Sequence, residues 1–300
     1  MGEQTGAQLD LLSGLSGIDP PAPDPASSAS PSSDGQSSHR QAQGDASIAV
    51  NVPSPFGADA QAQTPSVPAT LLIVDTETTG LDPERDQCLE VGAILFDVPA
   101  RAVLAQLSFL LPVESNPAEA INRIPAEVSC LDQPWRPALT YFQALLEATE
   151  VVVAHNASFD RQWFGRSPLP AILQPWLCTM EDIRWPAERQ LRTRPSVRDL
   201  ALAYEIPVWA AHRALTDCLY IAEVFRRCDD LESLLAIGLE PRRLMRACVS
   251  YHDRHLAKEA GFRWNDPVKG SWTRRLSERD VAALAFDVEP IAREPASEAF

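Results

Sequence analysis

The stretch LLIVDTETTGL, Leu71 to Leu81, decides how the rest of the chain is read. Its aliphatic and β-branched run, Leu71 to Val74, predicts a buried strand, and the polar residues after it end in a turn at Gly80. Side chains alternate faces along a strand, so Asp75 and Glu77 point the same way. Two neighbouring carboxylates raise each other's pKa unless a positive charge sits between them, and hard oxygen donors of this kind select Mg²⁺ or Mn²⁺. The arrangement asks for a divalent cation.

Two further stretches carry chemistry. In VVVAHNASFD the apolar run Val151 to Ala154 predicts a second strand, and Asn156 to Ser158 start a helix that carries Asp160. An acid in the first turn of a helix is favoured by the helix dipole, so taken alone Asp160 reads as a helix-start residue. In AHRALTDC, His212 opens a helical stretch through the 220s and Asp217 follows five residues later, which brings both side chains to one end of that helix. A neutral imidazole is suited to take a proton from water near neutral pH. The competing reading is a helix-start histidine and a capping aspartate.

Taken together and in this order, the D-x-E-T-T-G-L, H-N-x-x-F-D and H-x-x-x-x-D signatures resemble the DEDDh exonucleases of the bacterial DNA polymerase III proofreading-subunit type. The resemblance covers about residues 70–235. It implies that Asp75, Glu77, Asp160 and Asp217 hold two divalent ions, Mg²⁺ or Mn²⁺, and that His212 is the general base. The implied reaction is 3′–5′ hydrolysis at a DNA 3′ end, single-stranded or frayed, with release of nucleoside 5′-monophosphates in proofreading or repair. It further implies that Thr78, Thr79 and Leu81 contact the terminal nucleotide and that Asn156 and Phe159 line the path of the strand; Leu81 and Phe159 fit a core role equally well. His155 reads as structural. Two other functions stay open: an exoribonuclease trimming RNA 3′ ends, and a protein that binds DNA ends or the sliding clamp without hydrolysis.

Between the motifs, strands are expected over 88–98 and 103–112 and helices near 116–129, 137–149, 178–186 and 196–206. Leu200, Ala203 and Tyr204 are spaced for a helix core face, whereas Arg184, Trp185 and Arg198 either face the bound strand or pack. Strands first, then helices alternating with a further strand, predict an α/β fold with a mixed sheet flanked by helices. With the order of the motifs this implies a ribonuclease-H-like fold, Asp75 lying on its central strand.

Residues 1–68 differ in kind, with nine prolines and no large apolar residue between Asp19 and Ser47. Such a segment buries too little surface to offset its chain entropy and is expected to be disordered. One island, Gln8-Leu9-Asp10-Leu11-Leu12, puts three leucines where no local core uses them. It resembles the short motif by which bacterial replication and repair proteins dock on the DNA sliding clamp, which implies that Gln8, Leu9, Leu11 and Leu12 contact that partner.

The exonuclease domain is expected over 69–238 and a small basic, aromatic α+β module over 239–300. Net charge is −15, yet residues 242–279 hold ten bases and four acids, hence +6, with Tyr251, Phe262, Trp264 and Trp272 among them. Interleaved cations and aromatics suit stacking on unpaired bases and tracking of phosphates, while the plainer alternative makes Trp264 and Trp272 the core of the module. A helix, a stop at Gly261 and a hairpin across 265–270 are expected here. Cys248, His252 and His255 crowd one side of a helix with no fourth ligand, which speaks against zinc.

An apolar content of 45% supports a full core, and no apolar run reaches the length of a membrane span. The start of the chain carries neither an export signal nor a myristoylation pattern. Six scattered cysteines without a C-x-x-C pair read as reduced thiols, and the expected location is the cytoplasm, beside a separate DNA polymerase.

Overall fold

A computed structural model of the chain describes residues 67–210 and 212–291. The Gln8 to Leu12 island and nearly all of the 1–68 tail lie outside the described residues. Strands β1 (Thr70–Thr78), β2 (Cys88–Asp97) and β3 (Ala102–Leu110) form an antiparallel meander. On the other side of β1, strands β4 (Val151–Ala154) and β5 (Trp176–Cys178) run parallel to it. The order β3-β2-β1-β4-β5 places β1 at the centre, as the sequence reading expects, and the mixed sheet is ribonuclease-H-like.

Alternation along β1 divides the core in two. Leu71 and Ile73 face a layer that includes Leu200 of helix α5 (Val197–Ala203), Phe225 of α6 (Ala214–Arg227) and Leu235 of α7 (Leu231–Gly238). Leu72 and Val74 face Phe142, Leu145 and Leu146 of helix α3 (Trp135–Glu147). Helix α5 starts at Ser196, whose hydroxyl accepts from the Asp199 N–H while the Asp199 carboxylate accepts from the Ser196 N–H. Phe225 and Phe96 meet edge to face at 6.0 Å between centroids, and both are fully buried.

The close approach of α6 to β2 sets the site. A Cβ on Gly92 would lie 2.4 Å from both the Ala214 carbonyl carbon and the Leu215 nitrogen, so only glycine lets the first turn of α6 rest on the sheet. Gly92 is the partner of Asp75 in the β1–β2 ladder.

Two expected helices differ. The 116–129 segment breaks into α1 (Glu119–Asn122) and α2 (Ala126–Ser129), because Arg123 turns left-handed at φ 58° and Pro125 offers no N–H to continue the helix. The 178–186 segment is not helical. Cys178 is committed to β5 opposite Ala154, and its N–H donates to Asp182 Oδ2 at 2.8 Å, a side-chain acceptor that competes with a helical carbonyl. Within this segment Trp185 Nε1–H donates to the Thr179 carbonyl and its ring meets Tyr204, so Trp185 packs.

Residues 243–290 build a second sheet from β6 (Arg243–Ala247), β7 (Arg263–Trp264), β8 (Trp272–Leu276) and β9 (Val288–Pro290), in the order β7-β8-β6-β9. Helix α8 (Arg254–Glu259) is followed by Gly261 at φ 79°, the expected stop, and the β7–β8 hairpin turns between Asn265 and Gly270. Met245, Ala257, Phe262 and Leu276 form its core, with Trp272 packed against them and Trp264 51% exposed. Helix α9 (Glu278–Ala282) supplies Asp280, which takes a two-pronged pair from Arg184, both contacts at 2.9 Å, while Glu181 takes Arg263 at 2.8 Å. Arg184 therefore anchors this sheet to the chain that follows β5. All six cysteines are free thiols, and among the described residues no helix is long and apolar enough to cross a membrane.

Replacing Gly92→Ala is expected to cost about 1–3 kcal/mol, the range for forcing atoms into a packed core. Urea unfolding checks it; a variant with an unchanged midpoint would mean that α6 shifts freely away from β2.

Candidate active site

Each carboxylate reaches the site from a different element. Asp75 and Glu77 project from β1, on the face that continues Leu71 and Ile73. Asp160 comes from helix α4 (Ala157–Asp160), which opens after β4 with Asn156 in a left-handed backbone at φ 66°. Its Oδ1 accepts the Thr76 N–H at 3.0 Å and the Thr76 hydroxyl at 2.9 Å, which pins it to β1 between the other two acids. Asp217 lies in the first turn of α6.

His212 precedes α6 instead of opening it. The helix starts at Ala214, and His212 holds a left-handed backbone at φ 60° from which its N–H donates to Asp217 Oδ2 at 3.3 Å. That conformation is uncommon for a side-chain-bearing residue and turns the imidazole back over the carboxylates. One ligand atom each from Glu77, His212 and Asp217 lies within 4.8 Å of the others.

Electrostatics tie in the remaining two. Burial raises Asp75 well above the usual carboxylate range, with the charges of Asp160, Asp217 and Glu77 adding to the rise. Glu77 is raised by burial and then by Asp217, Glu90 and Asp160, against a small opposing pull from Arg213. Asp160 is pushed up to about 7 by burial despite the Thr76 hydrogen bonds, and Asp217 to about 7 by burial despite the His212 N–H. Four carboxylates gathered beside one imidazole form a hard donor set that fits a divalent cation. His212 is lowered by burial and then by the charge of Arg123, so it stands neutral at neutral pH.

Glu90 escapes the motif reading. It is 2% exposed, stands opposite Glu77 in the ladder, and accepts Arg213 through both oxygens at 2.9 and 3.1 Å. It also accepts the Ala214 N–H at 3.1 Å, one of the orphan donors of the α6 N-terminus, and the Ser108 hydroxyl at 3.1 Å. Glu90 thus holds Arg213 and Ala214, the two residues that join the His212 turn to the Asp217 helix. Its signal was available: a carboxylate set within the apolar run CLEVGAILF needs a buried partner. Arg123, exposed beside His212, left no such signal, because it depends on a turn far away in sequence.

The five residues expected at the strand path lie around this cluster with unequal freedom. The Thr78 hydroxyl donates to the Gly80 carbonyl at 2.5 Å, and the Thr79 hydroxyl accepts the Gln87 N–H at 2.9 Å, so both hold the turn after β1. Leu81 is 36% exposed at that turn. Asn156 is half-buried and accepts the Ser158 hydroxyl at 3.3 Å, and Phe159 packs edge-on to Trp163 at the rim of the second core layer. His155, read as structural, has its Nδ1 2.8 Å from the Thr179 hydroxyl, and burial lowers its pKa to about 4.

Residues 72–225 match the family described as Exonuclease, and residues 243–291 match a domain of unknown function. The chain is similar to the DNA polymerase III subunit epsilon of Treponema pallidum, 31% identical over 158 residues that cover 50% of this chain and 72% of that protein. It is similar to exodeoxyribonuclease 10 of Escherichia coli, 32% identical over 158 residues that cover 51% of this chain and 65% of that one. Among solved structures it is similar to exonuclease X in complex with 5′ overhanging duplex DNA, with a TM-score of 0.42, 28% identity, and coverage of 56% of this chain and 99% of that one.

Freed of divalent cations, the protein is expected to melt higher near about pH 5.5 than near about pH 8. Asp160 and Asp217 titrate at about 7 when folded and at about 4 when unfolded, so the folded state binds the extra protons and loses stability as pH rises through that window. His155, lowered to about 4, pulls the other way below about pH 6.5, and the comparison is therefore made with and without Mg²⁺. Mg²⁺ should raise the midpoint more at the higher pH. Thermal scans in which Mg²⁺ shifts both midpoints equally would remove the cation-site reading.

Proposed function

The chain belongs to the exonuclease family and is a 3′–5′ exonuclease, and on that footing we propose that it trims DNA 3′ ends, single-stranded or frayed, in proofreading or repair. The observation that carries this reading is the gathering of Glu77, His212 and Asp217 ligand atoms within 4.8 Å, with Asp75 and Asp160 joined to them by mutual charge. The names of its relatives, a DNA polymerase subunit and an exodeoxyribonuclease, favour DNA over RNA as the substrate. They also favour hydrolysis over simple binding of DNA ends.

The family depends on a metal. Asp75, Glu77, Asp160 and Asp217 would hold two ions, Mg²⁺ or Mn²⁺, which when bound supply Lewis acidity to the phosphate and to water. The work of the chain itself follows from its residues. Neutral His212 takes the proton of the attacking water on a ring nitrogen, and its left-handed turn keeps that ring over the acids. The water oxygen bonds to phosphorus and the P–O3′ bond breaks; the departing 3′ oxygen takes a proton from solvent water, which leaves a 3′-hydroxyl on the shortened strand and a 5′-monophosphate on the released nucleotide. Leu81, at the exposed turn, meets the terminal base, Thr78 and Thr79 shape that turn around the terminal nucleotide, and Asn156 and Phe159 border the strand.

We assign catalysis to residues 69–238. The Gln8 to Leu12 island is proposed to tether the enzyme to the DNA sliding clamp, with Gln8, Leu9, Leu11 and Leu12 entering an apolar pocket there. This places the protein in the cytoplasm, working beside a separate DNA polymerase.

On 5′-labelled oligonucleotides with Mg²⁺, a ladder of shortened products is expected, faster for DNA than for RNA of the same sequence, and none in EDTA. His212→Ala should fold normally and lose on the order of 10²–10⁴ in rate; equal turnover would end its assignment as the base. A peptide spanning residues 6–13 is expected to bind purified sliding clamp, and Gln8→Ala with Leu11→Ala to abolish that binding. Failure of the full-length protein to bind the clamp would retire the tether.

A further inference from the structure

Five of the ten bases in the 242–279 stretch, all arginines, are tied into the structure, and two others share one helix. Arg242 is 5% exposed between Asp182 and Asp280, Arg246 pairs with Glu289, Arg263 with Glu181 and Asp266, and Arg279 with Glu240. Arg274 is half-buried and donates to the Ala260 carbonyl, and desolvation lowers its pKa to about 10. These arginines hold the second sheet together and to the first. Arg254 and Lys258 are different. Both are exposed on helix α8, one turn apart, and together with His252, His255 and Trp272 they line an open cleft of about 450 Å³ that no carboxylate among the described residues lines.

The cleft has fixed walls. Arg254 lies over the Tyr251 ring at 4.0 Å and donates to the Tyr251 carbonyl at 2.6 Å, which holds its guanidinium without neutralising it. A carbonyl only accepts, so His255 Nδ1, 3.2 Å from the His252 carbonyl, carries a proton and leaves Nε2 for a ligand. Trp272 closes one side, its ring 5.6 Å from that of the exposed Trp264, and the pair forms an aromatic ledge. Cys248, His252 and His255 form no close group of three metal-ligating side chains among the described residues.

We propose that this cleft is a second contact for the DNA strand: Arg254 and Lys258 take backbone phosphate, and Trp272 and Trp264 stack on an unpaired base. Two cations without acid partners recognise an oxyanion chain, and a tilted tryptophan pair recognises a flat π-face of any base. On a chain of net charge −15 an acid-free cationic cleft requires an anionic ligand to justify it. The Arg184–Asp280 and Arg263–Glu181 pairs tie the sheet that carries the cleft to the segment that follows β5. The inference rests on the reading of the first sheet as an exonuclease of DNA ends, and extends it to residues outside the catalytic domain.

The test separates the two. Full-length protein and its Arg254→Ala/Lys258→Ala variant are titrated with fluorescent (dT)30 in EDTA over a series of salt concentrations, and both are assayed with Mg²⁺ on the p-nitrophenyl ester of thymidine 5′-monophosphate, which occupies the catalytic site alone. The variant is expected to bind (dT)30 about tenfold more weakly at low salt, with the slope of log K against log salt reduced by about 1.4, two phosphates at about 0.7 each. Its kcat/KM on the ester should equal that of the parent. Trp264→Ala, at an exposed position, should weaken (dT)30 binding about tenfold while leaving the salt slope unchanged. Unchanged (dT)30 affinity and slope in both variants overturn the proposal, as does a cleft that holds an acidic peptide such as poly-glutamate but not (dT)30. A parent protein that leaves the ester and all oligonucleotides intact sinks the exonuclease reading instead.

Discussion

The contact of helix α6 with strand β2 is the constraint on which the site depends. Gly92 leaves room for the Ala214 and Leu215 backbone to rest on the sheet, and Glu90, two residues earlier on the same face, receives the Ala214 N–H and the Arg213 guanidinium. These two positions convert a helix packed on a sheet into a helix whose first turn is fixed above Asp75 and Glu77. Asp217 and the left-handed His212 turn are then positioned by backbone geometry and by a buried charge-assisted hydrogen bond, and not by their own contacts with the other acids. Such an arrangement is needed because the acids repel one another, and groups that repel are not gathered by mutual attraction.

That repulsion is the main electrostatic feature of the catalytic half. Asp75, Glu77, Asp160 and Asp217 all titrate higher than free carboxylates, with burial the first cause in each. The fold keeps them together by hydrogen bonds from Thr76 to Asp160 and from His212 to Asp217, and by the two core layers on either side of β1. A preorganised set of oxygen donors at high local negative charge has its largest affinity for small divalent cations, which links the folding of the sheet directly to the chemistry of the site.

The second sheet works by the opposite logic. Several of its arginines are neutralised by acids, and the pairs of Arg242 with Asp182, Arg263 with Glu181 and Asp280 with Arg184 join the two sheets through the segment after β5. Basic composition alone therefore overstates the charge available to a ligand. What remains accessible is a small cleft where the helix α8 cations meet a tryptophan ledge, and its small size is what makes its role separable from that of the structural arginines.

Much of the fold and of the candidate site was legible because local patterns carry it. The apolar alternation around LLIVDTETTGL specifies strand β1 and the common face of Asp75 and Glu77, and the three spaced motifs name all five central side chains. Where the reading failed, a local competitor outweighed the helical pattern: Asp182, four residues on, drew the Cys178 N–H away from a helix, and the left-handed Arg123 split another in two. The amino-acid sequence by itself determined which side chains gather at the candidate site, because strand and helix periods translate spacing into direction. Only the tertiary structure decided that Glu90 and Gly92 seat the helix over those side chains, and which arginines remain free for a ligand, since both depend on contacts between residues more than a hundred positions apart or brought together from separate sheets.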